Sequence, residues 1–150
     1  MFEFRAAALI LALFAGLLPA KSFAQEQSGI DKVVFQVDEN DPKVMNLALN
    51  NVQNLLAYYK EKGRKVQIEI VTYGPGLNML RQDTSPVKDR ISALALENQD
   101  LQFSACGNTL EGMTKREGKK PPLISEAKLV PAGIARIVEL EKQGYAYVKP

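Results

Sequence analysis

Short β-branched runs alternate with helically spaced apolar segments from Lys32 to Val148. That alternation most constrains the fold. A strand, a helix and a second strand in succession close as parallel strands joined by a crossover helix. The run Lys32-Val33-Val34-Phe35-Gln36-Val37 reads as a buried strand. Asp41-Pro42 then signals a helix start, since Asp can cap and Pro is tolerated at the first helical position. Apolar residues recur at Val44, Leu47, Ala48, Val52, Leu55, Leu56 and Tyr59, and Gly63 ends the segment with Lys60 and Lys62 in its last turn.

Lys65 to Tyr73 is the second strand, broken by Gly74-Pro75-Gly76, with one short helical turn from Leu77 to Leu80. Ser85-Pro86 repeats the cap-then-proline signal, and Val87, Ile91, Leu94 and Ala95 share the face of the helix that follows. Leu101 to Ala105 is the third strand. Asn108 opens a third helix, with Glu111 three residues on in a capping-box-like pair. Gly112 to Pro122 is polar and basic, and reads as a frayed helix end followed by a mobile, solvated loop. Ala127 to Val130 is a fourth strand. Ile134, Ile137, Val138 and Leu140 mark a fourth helix, and Tyr145 to Val148 a fifth strand at a sheet edge. The expected architecture is an α/β fold, a three-layer α/β/α sandwich around a mainly parallel five-stranded sheet.

The first 24 residues read differently. Ala6 to Ala20 is an uninterrupted apolar stretch behind a weakly basic start, and Ser22-Phe23-Ala24 places small residues where a signal peptidase reads. The stretch is short for a bilayer span, which takes about 20 residues. Residues 1–24 are therefore expected to be a cleavable signal peptide, and residues 25–150 a single exported domain, with a bacterial periplasm the natural destination and a eukaryotic secretory route left open. Lys and Arg total 19 against 17 Asp and Glu in the whole chain. So balanced a charge argues against nucleic acid or an anionic membrane surface as partner.

Cysteine usage is the next constraint. The chain has one Cys, no His and no Trp. Cys106 cannot form an internal disulfide, and the chain lacks the residues for a zinc site. Without His, Ser-His and Cys-His catalysis are excluded. Asp38, Glu39 and Asp41 read as a solvated loop with a helix cap rather than a hard-cation site. No metal and no cofactor is expected.

Ligands of open parallel sheets bind beyond the carboxyl ends of the strands. There the chain places Asp38-Glu39-Asn40, Tyr73-Gly74-Pro75-Gly76, Cys106-Gly107-Asn108 and Val130-Pro131-Ala132-Gly133. Cys106 thus falls at the ligand-binding edge, just before a helix. Thiolates are favoured at helix N-termini or beside cations, here Lys115 or Arg116, while Glu111 and Asp38 would oppose them if turned inward. The plainer reading, a buried cysteine acting as a small hydrophobe, stands beside this one. Gly74-Pro75-Gly76 is open to two readings, an anion cradle and a tight turn, and is not a dinucleotide fingerprint. Cys106 is the candidate catalytic residue. Tyr73, Gly74, Gly76, Gly107 and Asn108 are candidate ligand-binding residues.

The succession of Lys32 to Val37 with its Asp-rich loop, Ile68 to Gly76, Phe103-Ser104-Ala105-Cys106-Gly107-Asn108-Thr109-Leu110, Val130 to Leu140 and Gln143 to Tyr147 resembles the DsrE/DsrF-like proteins. The resemblance covers the whole segment after the expected cleavage site, in order. It implies a small α/β/α domain that assembles into homo-oligomers, commonly trimers or hexamers. It also implies, for some members, a sulfur relay in which a cysteine at the end of the third strand carries a persulfide, a position that Cys106 matches. The expected function is a sulfurtransferase-like sulfur carrier with a sulfur donor and an acceptor as partners. The alternatives are a non-catalytic oligomeric binding module and a redox-responsive thiol protein.

Overall fold

The computed structural model describes residues 29–150. The expected signal peptide, residues 1–24, lies outside the described residues. Five strands, β1 (Asp31–Val37), β2 (Val66–Thr72), β3 (Leu101–Cys106), β4 (Ala127–Val130) and β5 (Ala146–Val148), form one sheet in the order β4-β3-β2-β1-β5. Every pairing is parallel. The helices are α1 (Pro42–Glu61), α2 (Lys88–Glu97), α3 (Gly107–Glu117) and α4 (Gly133–Lys142), with a 3-10 helix over Gly74–Leu80. The α/β class and the parallel sheet agree with the reading of the sequence.

The register aligns one apolar row across the sheet, Val148, Phe35, Ile70, Phe103 and Ala127. Successive strand residues point to opposite faces, so this row and its neighbours two residues away share one side. On that near side lies the main core, which takes Met45, Leu49 and Val52 from α1, Leu77 and Leu80 from the 3-10 helix, Ile91 and Leu94 from α2, and Leu110 and Met113 from α3. The far side is much smaller. There α4 packs through Ile137 and Leu140 on Val34 and Val71, with Tyr73 and Tyr145 partly covered beside them. Each such side chain contributes roughly 1.5–3 kcal/mol on burial. α4 buries two apolar side chains, as α2 and α3 do, but both lie beyond its first turn, where Ile134 faces outward.

Three consecutive crossovers step the chain from β1 to β4 along one side. The last crossover returns through α4 on the other side to place β5 beside β1. Right-handed connections require this change of face when the direction of travel reverses.

Several local readings are corrected. In α1 the buried stripe is Met45, Ala48, Leu49 and Val52, while Leu47 is exposed. Leu47 falls about 150° round the helix from that stripe at 3.6 residues per turn. Asp41 does cap α1, accepting a hydrogen bond from the Lys43 N–H at 2.7 Å. Ser85 does not occupy the N-cap position of α2, which is Val87: it is buried, donates to the Met79 carbonyl at 2.6 Å and accepts from the Val87 N–H at 3.3 Å, and α2 begins at Lys88. The Asn108–Glu111 capping box does not form. Cys106 occupies the N-cap position of α3, and Glu111 instead pairs with Lys115 at 2.7 Å on the surface.

The basic stretch after Arg116 is not a loose loop throughout. α3 continues to Glu117 and stops at Gly118, whose φ of 71° suits glycine. Pro122 and Ile124 then exchange backbone bonds with the 3-10 region: Gln82 N–H donates to the Pro122 carbonyl at 2.9 Å and Ile124 N–H to the Leu80 carbonyl at 3.0 Å. Arg81 adds bonds to Asp83 and to Glu117 at the end of α3. In α4, Ile137 and Leu140 are buried, but Ile134 and Val138 face outward.

Candidate functional site

Cys106 ends β3, beside Val130 at the end of β4. The connection from β3 enters α3 on the near side of the sheet, whereas the connection from β4 enters α4 on the far side. Between these two strand ends the chain parts to opposite faces. That divergence opens the crevice in which parallel α/β sheets hold their ligands. The candidate nucleophile stands at its lip, with a helix N-terminus on either side.

Two close approaches build the crevice. A Cβ added at Gly107 would lie 3.0 Å from the Val130 carbonyl oxygen and 3.2 Å from that of Pro131. The Asn108 N–H donates to the same Pro131 carbonyl at 3.2 Å. The start of α3 is thus laid directly on the end of β4. A Cβ at Gly133 would lie 3.0 Å from Tyr73 Cβ and 3.3 Å from Cys106 Cβ. Glycine at this position lets the first turn of α4 rest against both residues.

The Cys106 side chain makes no capping hydrogen bond, and the residue is only 4 % exposed. Burial raises the thiol pKa, but the Thr109 hydroxyl and the backbone N–H groups of Gly133, Thr109 and Asn108 lower it by more. The net result lies below the ordinary thiol value. Two of these amides belong to the first turn of α3 and one to the first turn of α4, where N–H groups lack intrahelical partners. The lowering comes from the starts of two helices, α3 and α4. Lys115 and Arg116 are not among these donors: Lys115 is engaged by Glu111, and Arg116 lines a neighbouring cleft. Glu111 faces solvent, and Asp38 sits 3.4 Å from Lys149.

The remaining candidates separate. Gly74 and Asn108 line an open cleft of about 540 Å³ together with Thr109, Asn78, Arg81 and Arg116. Cys106 does not line that cleft, whereas Thr109 both lines it and acts on the sulfur. Tyr73 is half-buried on the α4 side, where burial first, then Asp38 and Tyr147, raise its phenol pKa. Gly107 serves the backbone contact with β4. Gly76 lies on the end of β1, where an added Cβ would come within 2.2 Å of the Val37 carbonyl oxygen. Its place is explained by packing.

Two contributors, Thr109 and Gly133, are not singled out by the sequence. Thr109 Oγ1 accepts a hydrogen bond from the Gly74 N–H at 2.9 Å, so its proton is available to the sulfur. The signal for Gly133 was its position just after the fourth strand, on the same edge as the cysteine. On the far side, Glu69 is almost fully buried and accepts from Ser104 Oγ at 2.6 Å and from Arg136 Nε at 2.8 Å and Nη2 at 2.7 Å. No motif announced that cluster.

No family model and no curated protein matches the chain. Among solved structures, it is similar to a protein of unknown function, MTH1491 from Methanobacterium thermoautotrophicum, with a TM-score of 0.68 and 35% sequence identity. The match covers 80% of this chain and 99% of that one. With that identity over nearly the whole of the archaeal protein, the chain belongs to the same family as MTH1491.

Proposed function

We propose that this protein is an exported, DsrE/DsrF-like sulfur carrier that holds a persulfide on Cys106. One observation carries the reading: the chain's one sulfhydryl lies between the first turns of α3 and α4, as the N-cap residue of one and against Gly133 of the other, and these amides with the Thr109 hydroxyl lower its pKa. Its place at the parting of the β3 and β4 connections adds support. A persulfide is anionic at its outer sulfur, and amides at helix starts suit such a charge.

The chemistry balances without an external oxidant. The Cys106 thiolate attacks the sulfane sulfur of a donor. A sulfur–sulfur bond forms to Cys106, the donor's own sulfur–sulfur bond breaks, and the donor leaves with that electron pair. An acceptor thiolate then attacks the outer sulfur and releases Cys106 as thiolate. Access is the other requirement, because the residue is nearly covered. Movement of Thr109 would open the sulfur to the adjoining cleft. Self-association of the kind the resemblance implies is supported by Ile134 and Val138, which lie outward on α4.

The near-complete burial of Cys106 favours a second reading, an inert cysteine in a binding module. Intact mass spectrometry after incubation with a sulfane-sulfur donor separates the two. A gain of one sulfur atom, removed by reductant and absent in Cys106→Ser, is expected for the carrier. An unmodified thiol that resists alkylation until denaturation would overturn it. A reducible covalent dimer would assign the thiol to redox pairing instead.

A further inference from the structure

Glu69 is a carboxylate in the middle of a buried strand, on the side of the sheet that α4 covers. Both its oxygens are engaged. Oε1 accepts from Ser104 Oγ and Arg136 Nε, and Oε2 accepts from Arg136 Nη2. Arg136 belongs to the first turn of α4: its own N–H donates to the Ala132 carbonyl at 3.0 Å and closes that turn around Gly133. The guanidinium fork therefore ties the turn that carries the Gly133 amide to the centre of β2.

A buried ion pair is a poor device for stability, since a well-packed apolar replacement is often neutral or better. It is a good device for fixing register, because a bidentate pair tolerates little displacement. The first turn of α4 has no buried apolar side chain to set its register, since Ile137 and Leu140 lie farther along and Ile134 faces outward. Its apolar footing is small, being Ile137 and Leu140 on Val34 and Val71. Yet its N-terminus lies close against the sheet edge, where a Gly133 Cβ would already press on Tyr73 and Cys106.

We propose that Glu69 and Arg136, completed by Ser104, are positioning residues that hold the first turn of α4, and with it the Gly133 amide, against the Cys106 sulfur. The proposal rests on reading Cys106 as a reactive thiolate. It does not depend on what that thiolate reacts with.

The test replaces the cluster by apolar residues of similar size, in Glu69→Leu/Ser104→Ala/Arg136→Met. One positive and one negative charge leave together, so the net charge is unchanged. Glu139, 3.9 Å from Arg136, and Tyr145, which feels both Glu69 and Arg136, lose a neighbouring charge, while Asp38 with Lys149, and Tyr73 with Tyr147, keep their surroundings. The Cys106 thiolate is titrated by ultraviolet absorbance and by the pH dependence of alkylation. In the same samples, the Gly133 amide resonance is followed by NMR.

In the wild type the Gly133 resonance should move with the Cys106 titration. In a folded triple variant that coupling should vanish and the Cys106 midpoint should rise by about one pH unit, the effect of one lost hydrogen bond to a charged group. A folded variant with an unchanged midpoint and an unchanged Gly133 response would overturn the proposal. Should the triple variant not fold, Arg136→Lys decides. It keeps the charge but loses the fork, and should raise the midpoint by a smaller amount; no change in it would equally overturn the proposal. Failure of persulfide loading, with these shifts as expected, would sink the carrier reading alone.

Discussion

The Gly74 amide donates to Thr109 Oγ1 at 2.9 Å, and the hydroxyl it holds in turn favours the thiolate of Cys106. A backbone group after the second strand thereby acts on a sulfur after the third. The donating amide stabilises negative charge on the Thr109 oxygen and leaves its proton for the sulfur, so the two bonds reinforce one another.

Thr109→Val removes the proton and nearly preserves the shape. The Cys106 titration midpoint should rise by about one pH unit, as expected for losing a hydrogen bond to a charged group. The Gly74 amide also loses its acceptor, at a stability cost of about 1–3 kcal/mol. Thiolate absorbance against pH and a urea denaturation curve measure the two effects separately. An unmoved midpoint would remove Thr109 from the site.

The charged alternatives should prove irrelevant. Lys115→Gln and Arg116→Gln each delete a cation that does not appear among the donors to the sulfur. The pH profile of alkylation should be the same as the wild type in both. A clear upward shift in either would mean that long-range charge, not the amides, sets the thiol's acidity.

Two glycines should differ in severity. At Gly133 an added methyl group meets Tyr73 Cβ at 3.0 Å and Cys106 Cβ at 3.3 Å, which a small shift of α4 relieves. Gly133→Ala should cost about 1–3 kcal/mol and raise the Cys106 midpoint. At Gly76 the methyl group meets a strand carbonyl at 2.2 Å, and backbone has little room to yield. Gly76→Ala should be the more destabilising, without a specific effect on the thiol in whatever fraction folds. Thermal denaturation ranks the pair.

Stability should also carry the signature of the thiol. The native pKa of Cys106 is depressed, so the folded state holds the proton less tightly than the unfolded chain. The resulting stabilisation is fully present above the unfolded value of about 8.5 and is lost as pH falls through the native midpoint. Under reducing conditions, the stability of the wild type relative to Cys106→Ser should therefore rise with pH across that window. A flat or falling difference in urea denaturation would contradict the assigned direction.

Much of the fold was legible in the sequence. Strand spacing, β-branched runs and the Asp41 cap placed the five strands and the parallel sheet, because these patterns are local and periodic. The edge on which Cys106 lies followed from its place after the third strand. The local misreadings share one cause. Ser85 and Asn108 look like N-caps by residue type, but Val87 and Cys106 hold those positions: Ser85 bridges Met79 and Val87, and the Asn108 amide serves Pro131. Likewise, the segment around Leu123 is held by backbone bonds from Gln82 to Pro122 and from Ile124 to Leu80, which no composition reveals.

The sequence by itself determined an alternating chain with a single thiol at the carboxyl edge of a parallel sheet, since side-chain periodicity and turn chemistry act over a few residues. Only the tertiary structure decided what surrounds that thiol. Gly133 reaches Cys106 because α4 crosses to the far side of the sheet, and Arg136 meets Glu69 across a separation of 67 positions. Such convergence depends on the face each crossover takes and on where a short helix comes to rest, which are properties of packing between distant segments.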